Sequence, residues 1–177
     1  AQLFNEYFGS GLSSIVFQEI RESKALAYSA YSYYGSPSKQ DKHHYVNAYV
    51  GTQANKFPDA LAAMYGLMNN MPEAKDQFEQ SKESALKKIE STRTKRSSIY
   101  WRYLFAKKLG LEADRNEKVY EALGKTDFDQ MTGFFSDKIK DRNYTFLVLG
   151  DRNLVDLDAL KEYGEVQELT LEQVFGY

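Results

Sequence analysis

Residues 9–28 read Gly9-Ser-Gly-Leu-Ser-Ser-Ile-Val-Phe-Gln-Glu-Ile-Arg21-Glu-Ser-Lys-Ala-Leu-Ala-Tyr28, and this segment organises the rest of the chain. Its glycines break a preceding helical pattern, and the apolar residues that follow recur at helical spacing as far as Ala25. From Ala27 onward the period changes to two, which is typical of a strand. The segment therefore predicts a glycine loop, a helix that carries Arg21, and a strand that opens near Tyr28.

The elements after this segment are mostly helices. The first strand (27–34) and a second strand (44–53) flank a short turn at 35–38, which predicts an antiparallel hairpin. In a regular strand, Tyr28 would lie on the same side as Ala30, Ser32 and Tyr34. Further strands are predicted at 144–149 and 165–168, and helices at 57–70, 73–94, 98–109, 118–123, 127–140 and 157–163. This order predicts one α+β domain, an antiparallel sheet with helices packed on one face.

Composition excludes several classes of function. The 23 basic and 25 acidic side chains nearly cancel, so the charge balance argues against nucleic acid or an anionic membrane as the main partner. The sequence has no apolar run long enough for a membrane span. It also has no cysteine, which excludes disulfides and thiolate metal sites and leaves the cellular compartment open.

The start of the chain lacks the signals that open a helix. Leu3, Phe4 and Tyr7 recur at helical spacing at once, and no capping residue stands before them. We therefore expect residues 1–177 to be a single domain and an N-terminally truncated, C-terminal fragment of a longer protein.

Arg21 and Tyr28 are the candidate functional pair. A guanidinium offers paired, permanently charged donors to a carboxylate or carbonyl, and a phenol can donate one directed hydrogen bond to a carbonyl or oxyanion. Two rigid elements could present both groups to one cleft. The alternative is that Arg21 pairs with a surface acid such as Glu22 or Asp41 while Tyr28 packs in the core.

The segment from Leu12 to Tyr28 resembles the signature of the C-terminal, non-zinc-binding domain of insulinase/pitrilysin-type zinc metallopeptidases, the inverzincins. In that family a glycine and serine loop leads into a helix that bears an arginine, and a tyrosine opens a strand seven residues later. Looser similarity continues to the end of the chain, whose closing segment is similar to that of bacterial zinc proteases. The resemblance implies a metallopeptidase-half fold of the LuxS and processing-peptidase type.

The resemblance also implies a division of labour between two halves. The partner half, on the same parent chain or on another subunit, carries His-x-x-Glu-His, binds zinc and activates water. This half holds the peptide substrate, with Arg21 and Tyr28 near the scissile bond. Tyr31, Tyr33, Tyr45 and Tyr49 would line the substrate chamber, although ordinary cross-strand pairing explains these tyrosines equally well.

No catalytic or metal-binding residue is expected in this chain, because its two histidines, His43 and His44, are adjacent. Neighbours on a strand point to opposite faces, so these two side chains cannot chelate one ion and are predicted to be solvated edge residues. The chain alone is expected to be inactive, and zinc is expected only in the partner half. The alternatives are a non-catalytic scaffold or assembly subunit of the same fold, and an unrelated peptide-binding module.

Two further clusters are predicted to be structural. The basic run Arg93-Thr-Lys95-Arg96 is expected to close a helix at its C-terminus, where cations complement the helix dipole. Trp101, Leu104, Phe105 and Lys108 share one stripe of the following helix, and that stripe is predicted to pack in the core.

Overall fold

The computed structural model of the chain describes residues 1–37, 39, 41–112 and 114–176. These residues form nine helices and one two-stranded antiparallel sheet, which confirms the α+β class. The strands are β1 (Ala27–Gly35) and β2 (Tyr45–Thr52). Helix α1 starts as α-helix (Gln2–Phe4) and continues as π-helix (Asn5–Gly9), and α2 is π-helical (Phe17–Ser23). The later helices are α3 (Phe57–Asn69), α4 (Lys75–Ser91), α5 (Arg96–Lys108), α6 (Arg115–Lys125), α7 (Phe128–Lys138), α8 (Leu157–Lys161) and α9 (Leu171–Phe175).

The predicted antiparallel hairpin forms, with Tyr31 opposite Tyr49 and Gly35 opposite Tyr45. The predicted turn between the strands includes Ser38, which lies outside the described residues. Alternate residues of β1 are buried, and this buried row consists of Ala30, Ser32 and Tyr34. The helices therefore cover one face of the sheet and leave the other face open, as the sequence predicts.

Helix α1 lies at the centre of the core. Phe4, Tyr7 and Phe8 are fully buried, and the ring of Phe4 stacks on that of Phe8 at 5.0 Å. The Tyr7 ring meets Phe78 and Phe128 edge to face, at 5.9 and 6.2 Å. Its hydroxyl donates to the carbonyl of Pro72 (2.8 Å) and accepts from the amide of Ala74 (3.2 Å). One buried phenol thus fixes the connection between α3 and α4 against α1.

Both later strand predictions are wrong, because neither segment pairs with another strand in the described structure. Residues 144–149 run close to the helices instead, where the Phe146 ring packs on Tyr65 and Tyr163 at 6.0 and 5.5 Å. Leu147 and Leu149 are 89% and 103% exposed. The dense apolar run at 144–149 indicates a strand from sequence. A strand also needs a neighbour that supplies hydrogen bonds, and among the described residues only β1 and β2 provide these bonds for each other.

Helix α5 also departs from the prediction. Trp101 is 68% exposed and Lys108 is exposed, whereas Leu104 and Phe105 are only partly buried, so the stripe is not part of the core. The residues of α5 that are at least partly buried are Ser98, Arg102, Leu104, Phe105 and Ala106. Arg102 explains the difference, because it forms an ion pair with Asp114 at 2.6 Å and so sets which side of the helix faces the protein.

The basic run before α5 is placed differently as well. Helix α4 ends at Ser91, so Arg93 lies beyond its last turn, and Lys95 and Arg96 stand at the N-terminus of α5. Cations at a helix N-terminus oppose the dipole, and the first turn of α5 contains no acidic residue. The prediction that this run closes a helix C-terminus is therefore wrong.

Candidate functional site

The end of helix α2 positions Arg21. The amide of Leu26 donates to the carbonyl of Ile20 at 2.9 Å, and Ala25 has φ of 48°, in the left-handed region. This pattern closes a helix and turns the chain sharply, and glycine usually provides it because it has no Cβ to clash. Here alanine adopts it, and the carbonyl of Ala25 accepts a hydrogen bond from Lys56 Nζ at 2.9 Å. The chain therefore reverses within a few residues of Arg21 and enters β1.

A β-bulge positions Tyr28. Ala27 pairs with Thr52 and Ser29 with Gly51, so Tyr28 is an extra residue in β1. Such a residue breaks the alternation of the strand and redirects its side chain. Tyr28 is consequently 83% exposed, and it does not share the buried side of β1 with Ala30 as the regular alternation predicts.

The turn and the bulge bring Arg21 and Tyr28 together. The guanidinium carbon of Arg21 lies 5.0 Å from the centroid of the Tyr28 ring and 4.7 Å from that of Phe17. Both distances are within the range of a cation–π contact. The Arg21 side chain is about one third exposed, and its Nε lies 3.5 Å from Glu22 Oε1. The surface ion pair offered as an alternative is thus present with Glu22, whereas burial of Tyr28 is not.

The pair can act on a polar ligand from the solvent side. A guanidinium that rests between two aromatic rings has fewer accessible rotamers than one on an open surface, so less entropy is lost when it binds. The exposed Tyr28 can offer its hydroxyl as a donor beside this charge. Together they form a small cationic and donor-rich surface that suits a carbonyl or carboxylate.

The four predicted chamber tyrosines form one continuous surface on the open face of the hairpin. The Tyr31 ring stacks on Tyr49 at 5.2 Å and lies 6.4 Å from Tyr33. Tyr33 meets the Tyr45 ring edge to face at 5.7 Å, and the two hydroxyls are 3.4 Å apart. The hydrogen bond to Tyr45 raises the pKa of Tyr33. Ordinary cross-strand pairing accounts for all of these contacts.

Two glycines shape this tyrosine surface. A Cβ atom on Gly35 would lie 2.4 Å from the Tyr45 ring, and one on Gly51 would lie 3.0 Å from the Tyr49 hydroxyl. The rings of Tyr45 and Tyr49 therefore lie flat over glycine backbone. The sequence alone gave no signal for these two contacts, because the register of the hairpin decides which side chain covers which glycine.

The histidines do not form a metal site. His43 and His44 are both exposed, and the His44 ring stacks on Tyr34 at 5.2 Å. Within the described ranges no three His, Asp or Glu side chains lie close enough to hold one ion. The residues present therefore do not fit zinc, and no chemical step of this chain can be assigned to it.

Two other features lie away from the pair. A cavity of about 360 Å³ opens between α1, α6 and α7, and its lining includes Phe4, Leu123 and Met131 but none of the predicted site residues. Among the helices of the described residues, none is both long and apolar enough to cross a membrane.

Comparison with known proteins gives a family match for the first part of the chain and a similar protein. Residues 1–85, which contain the Arg21 and Tyr28 pair and the whole hairpin, match the model of the Peptidase M16 inactive domain. The chain is also 33% identical over 102 residues to the Bacillus subtilis (strain 168) protein named "Uncharacterized zinc protease YmxG". That match covers 54% of this chain and 24% of the relative, so the chain spans about a quarter of the relative's length. Both comparisons therefore support a non-zinc-binding C-terminal domain of the M16 peptidase type, with the family match confined to residues 1–85.

Proposed function

We propose that this domain is the substrate-holding half of a zinc metallopeptidase active site. Arg21 and Tyr28 bind the peptide backbone near the scissile bond, and a separate zinc-binding half supplies the metal, the water and the general base. The observation that carries the proposal is the contact between the Arg21 guanidinium and the exposed Tyr28 ring. The match of residues 1–85 to an inactive peptidase domain makes peptide binding a more fitting role for this pair than catalysis.

Arg21 binds a carbonyl or carboxylate of the substrate. Its aromatic neighbours, Phe17 and Tyr28, hold the guanidinium plane, and Glu22 engages Nε. The ion pair with Glu22 is on the surface and weak, so a peptide can compete with it at little cost. A charge-assisted hydrogen bond to the substrate is stronger than a neutral one.

Tyr28 hydrogen-bonds near the scissile carbonyl and stabilises the oxyanion that develops there. A donor aimed at developing charge accelerates the reaction because the bond strengthens in the transition state. The bulge supports this role because it fixes Tyr28 at the rim of the sheet, beside a rigid helix end. The neighbouring tyrosine surface would form the wall along which the peptide lies.

The zinc-binding half lies on the same parent chain or on another subunit. The relative is about four times as long as the stretch that it shares with this chain, which leaves room for a second domain. The sequence upstream of Ala1 tests the first arrangement, because a His-x-x-Glu-His helix encoded there would place both halves on one chain. A motif encoded in an adjacent reading frame would favour a separate subunit.

The experiment is peptide hydrolysis by this domain reconstituted with its zinc-binding half. We expect Arg21→Ala to lower kcat/KM by at least about tenfold, mainly through KM, because it removes a contact made in both the ground state and the transition state. Arg152→Ala is the matched control, since Arg152 is an exposed, ion-paired arginine on a distant part of the chain. Zinc content and complex formation are measured for every variant.

The outcomes distinguish a substrate-holding role of this domain from the role of an assembly subunit. A loss of activity in Arg21→Ala with normal zinc content and normal complex formation supports the proposal. Unchanged kinetics in both Arg21→Ala and Tyr28→Phe would refute the substrate-holding role and favour an assembly subunit of the same fold.

A further inference from the structure

Helix α5 carries an unpaired basic and aromatic face. Residues 91–111 contain six Lys or Arg and no Asp or Glu. Arg102 turns inward to Asp114, and the exposed cations that remain are Arg93, Lys95, Arg96, Lys107 and Lys108. Beside them lie four large exposed side chains, Ile99, Tyr100, Trp101 and Tyr103. We call these nine residues the basic aromatic face.

The basic aromatic face has no partner in the described part of the chain. None of its five cations forms an ion pair with a described acidic residue, and Lys107 Nζ instead lies 5.8 Å from the centroid of the Tyr103 ring. Among the described residues, the rings of Tyr100 and Trp101 contact only each other as aromatic pairs, with their centroids 5.5 Å apart. Exposed aromatic residues flanked by cations are typical of a surface that binds another molecule.

The C-terminal part of the chain has the complementary character. Residues 151–172 contain seven acidic and two basic residues, a net charge of −5. Large apolar side chains are exposed in the same region, namely Leu154, Leu169, Leu171 and Val174. Arg152 makes a bidentate ion pair with Glu168, at 2.5 and 3.1 Å, which ties the loop after Gly150 to residues near Leu169. We call residues 151–174 the acidic C-terminal surface.

We propose that the basic aromatic face of one copy of this chain docks on the acidic C-terminal surface of a second copy. One contact then covers two surfaces that are otherwise left open. The exposed leucines and valine bury the aromatic rings, which contributes most of the free energy, and the charges select the partner and steer its approach. A membrane or nucleic acid fits less well, because both are repelled by the acidic remainder of a chain whose net charge is −2.

The test measures the mass of the chain in solution by sedimentation at about 50 mM and about 0.5 M salt, over a range of concentrations. We expect concentration-dependent association at low salt and weaker association at high salt. Lys107→Glu/Lys108→Glu lowers the charge of the basic aromatic face from +5 to +1, and Glu162→Lys/Glu165→Lys changes the net charge of residues 151–172 from −5 to −1. Each double variant alone is expected to dissociate at least about tenfold more readily than the wild type.

The decisive measurement is the association of the two double variants when they are mixed. The second variant keeps an unaltered basic aromatic face and the first keeps an unaltered acidic C-terminal surface, so the mixture is expected to associate although neither component does so alone. Lys42→Glu/Lys125→Glu is the matched control, because it changes the same charge at exposed lysines away from α5 and is expected to behave as the wild type.

Three results would overturn the proposal. The first is a wild type that stays monomeric at low salt. The second is association that is equal in all variants, which would indicate contact through another surface. The third is a monomer that binds phosphatidylglycerol vesicles or single-stranded DNA through Lys107 and Lys108, which would assign the basic aromatic face to a lipid or nucleic acid.

Discussion

The guanidinium carbon of Arg21 lies 5.0 Å from the centroid of the Tyr28 ring, although the two residues belong to different elements of the fold. Two backbone irregularities create this contact, the left-handed Ala25 that ends α2 and the bulge that displaces Tyr28 from the regular alternation of β1. Neither side chain is part of the core. The candidate site is thus a surface arrangement held in place by the backbone that carries it.

Loss of the Tyr28 side chain should affect stability little. Tyr28→Ala removes an exposed ring and one cation–π contact, so we expect the free energy of unfolding to fall by about 0.5–1 kcal/mol. Tyr34→Ala is the matched control on the buried side of the same strand, and a loss of about 3 kcal/mol is expected there. Urea unfolding measures both. Equal losses would mean that Tyr28 is packed and not available to a ligand.

Replacing Ala25 by glycine should stabilise the protein. Ala25 has φ of 48° and is exposed, so Ala25→Gly relieves a strained backbone and removes no contact of the core. We expect a gain of about 1 kcal/mol, measured by thermal or urea unfolding. Ala62→Gly, at an exposed position inside α3, should instead cost about 1 kcal/mol. A loss of stability in Ala25→Gly would contradict the assigned turn.

The close approach of α1 to β1 depends on Gly9. A Cβ atom on Gly9 would lie 1.8 Å from the carbonyl oxygen of Ser32. The nearest atoms of Ser32 all belong to its backbone, so no flexible side chain could move away to make room. We expect Gly9→Ala to cost about 3 kcal/mol. Gly133→Ala in α7, where a Cβ would meet nothing within 4 Å, should be neutral or stabilising by up to about 1 kcal/mol. Similar effects for the two variants would show that α1 does not pack so closely on β1.

The stability of the protein should decrease in alkali because of Tyr144. Burial raises the pKa of Tyr144 to about 12, and its hydroxyl donates to the carbonyl of Ile139 at 2.5 Å. The unfolded tyrosine ionises near pH 10, so the stability from this group is complete below about pH 10 and is lost as the pH rises towards 12. We therefore expect the advantage of the wild type over Tyr144→Phe to shrink between about pH 10 and about pH 12. A constant difference in the free energy of unfolding would contradict this assignment.

Local patterns in the sequence predicted most helices and the hairpin, because these depend on periodicity and turn residues close in the chain. The spacing of Thr170 and Gln173, for example, is that of a capping box, and both hydrogen bonds of that box form. The segment 144–149 has the pattern of a strand, but its pairing depends on a neighbour that no local pattern reveals. Helical spacing alone predicts Trp101 in the core. In the structure the side of α5 that carries Arg102 faces the protein, where Arg102 pairs with Asp114, and Trp101 is exposed.

Residue type and family resemblance predict Arg21 and Tyr28 as the candidate pair. They do not predict how the two side chains are arranged in space. Regular alternation places Tyr28 beside Ala30 on the buried side of β1. The bulge is a property of the pairing with β2, where Ala27 and Ser29 face the consecutive residues Thr52 and Gly51. A single strand contains no signal for such a mismatch, so only the folded hairpin brings Tyr28 to the surface beside Arg21.

The central claim is that Tyr28 contacts the reacting carbonyl, and kcat of the reconstituted peptidase tests it most directly. Tyr28→Phe keeps the ring beside Arg21 and removes only the hydroxyl. We predict a fall in kcat of about 100-fold with little change in KM, because the lost hydrogen bond is strongest in the transition state. Tyr120→Phe, which removes an exposed hydroxyl bound to Glu90, serves as the control and should leave kcat unchanged. A kcat for Tyr28→Phe equal to that of the wild type would contradict the account.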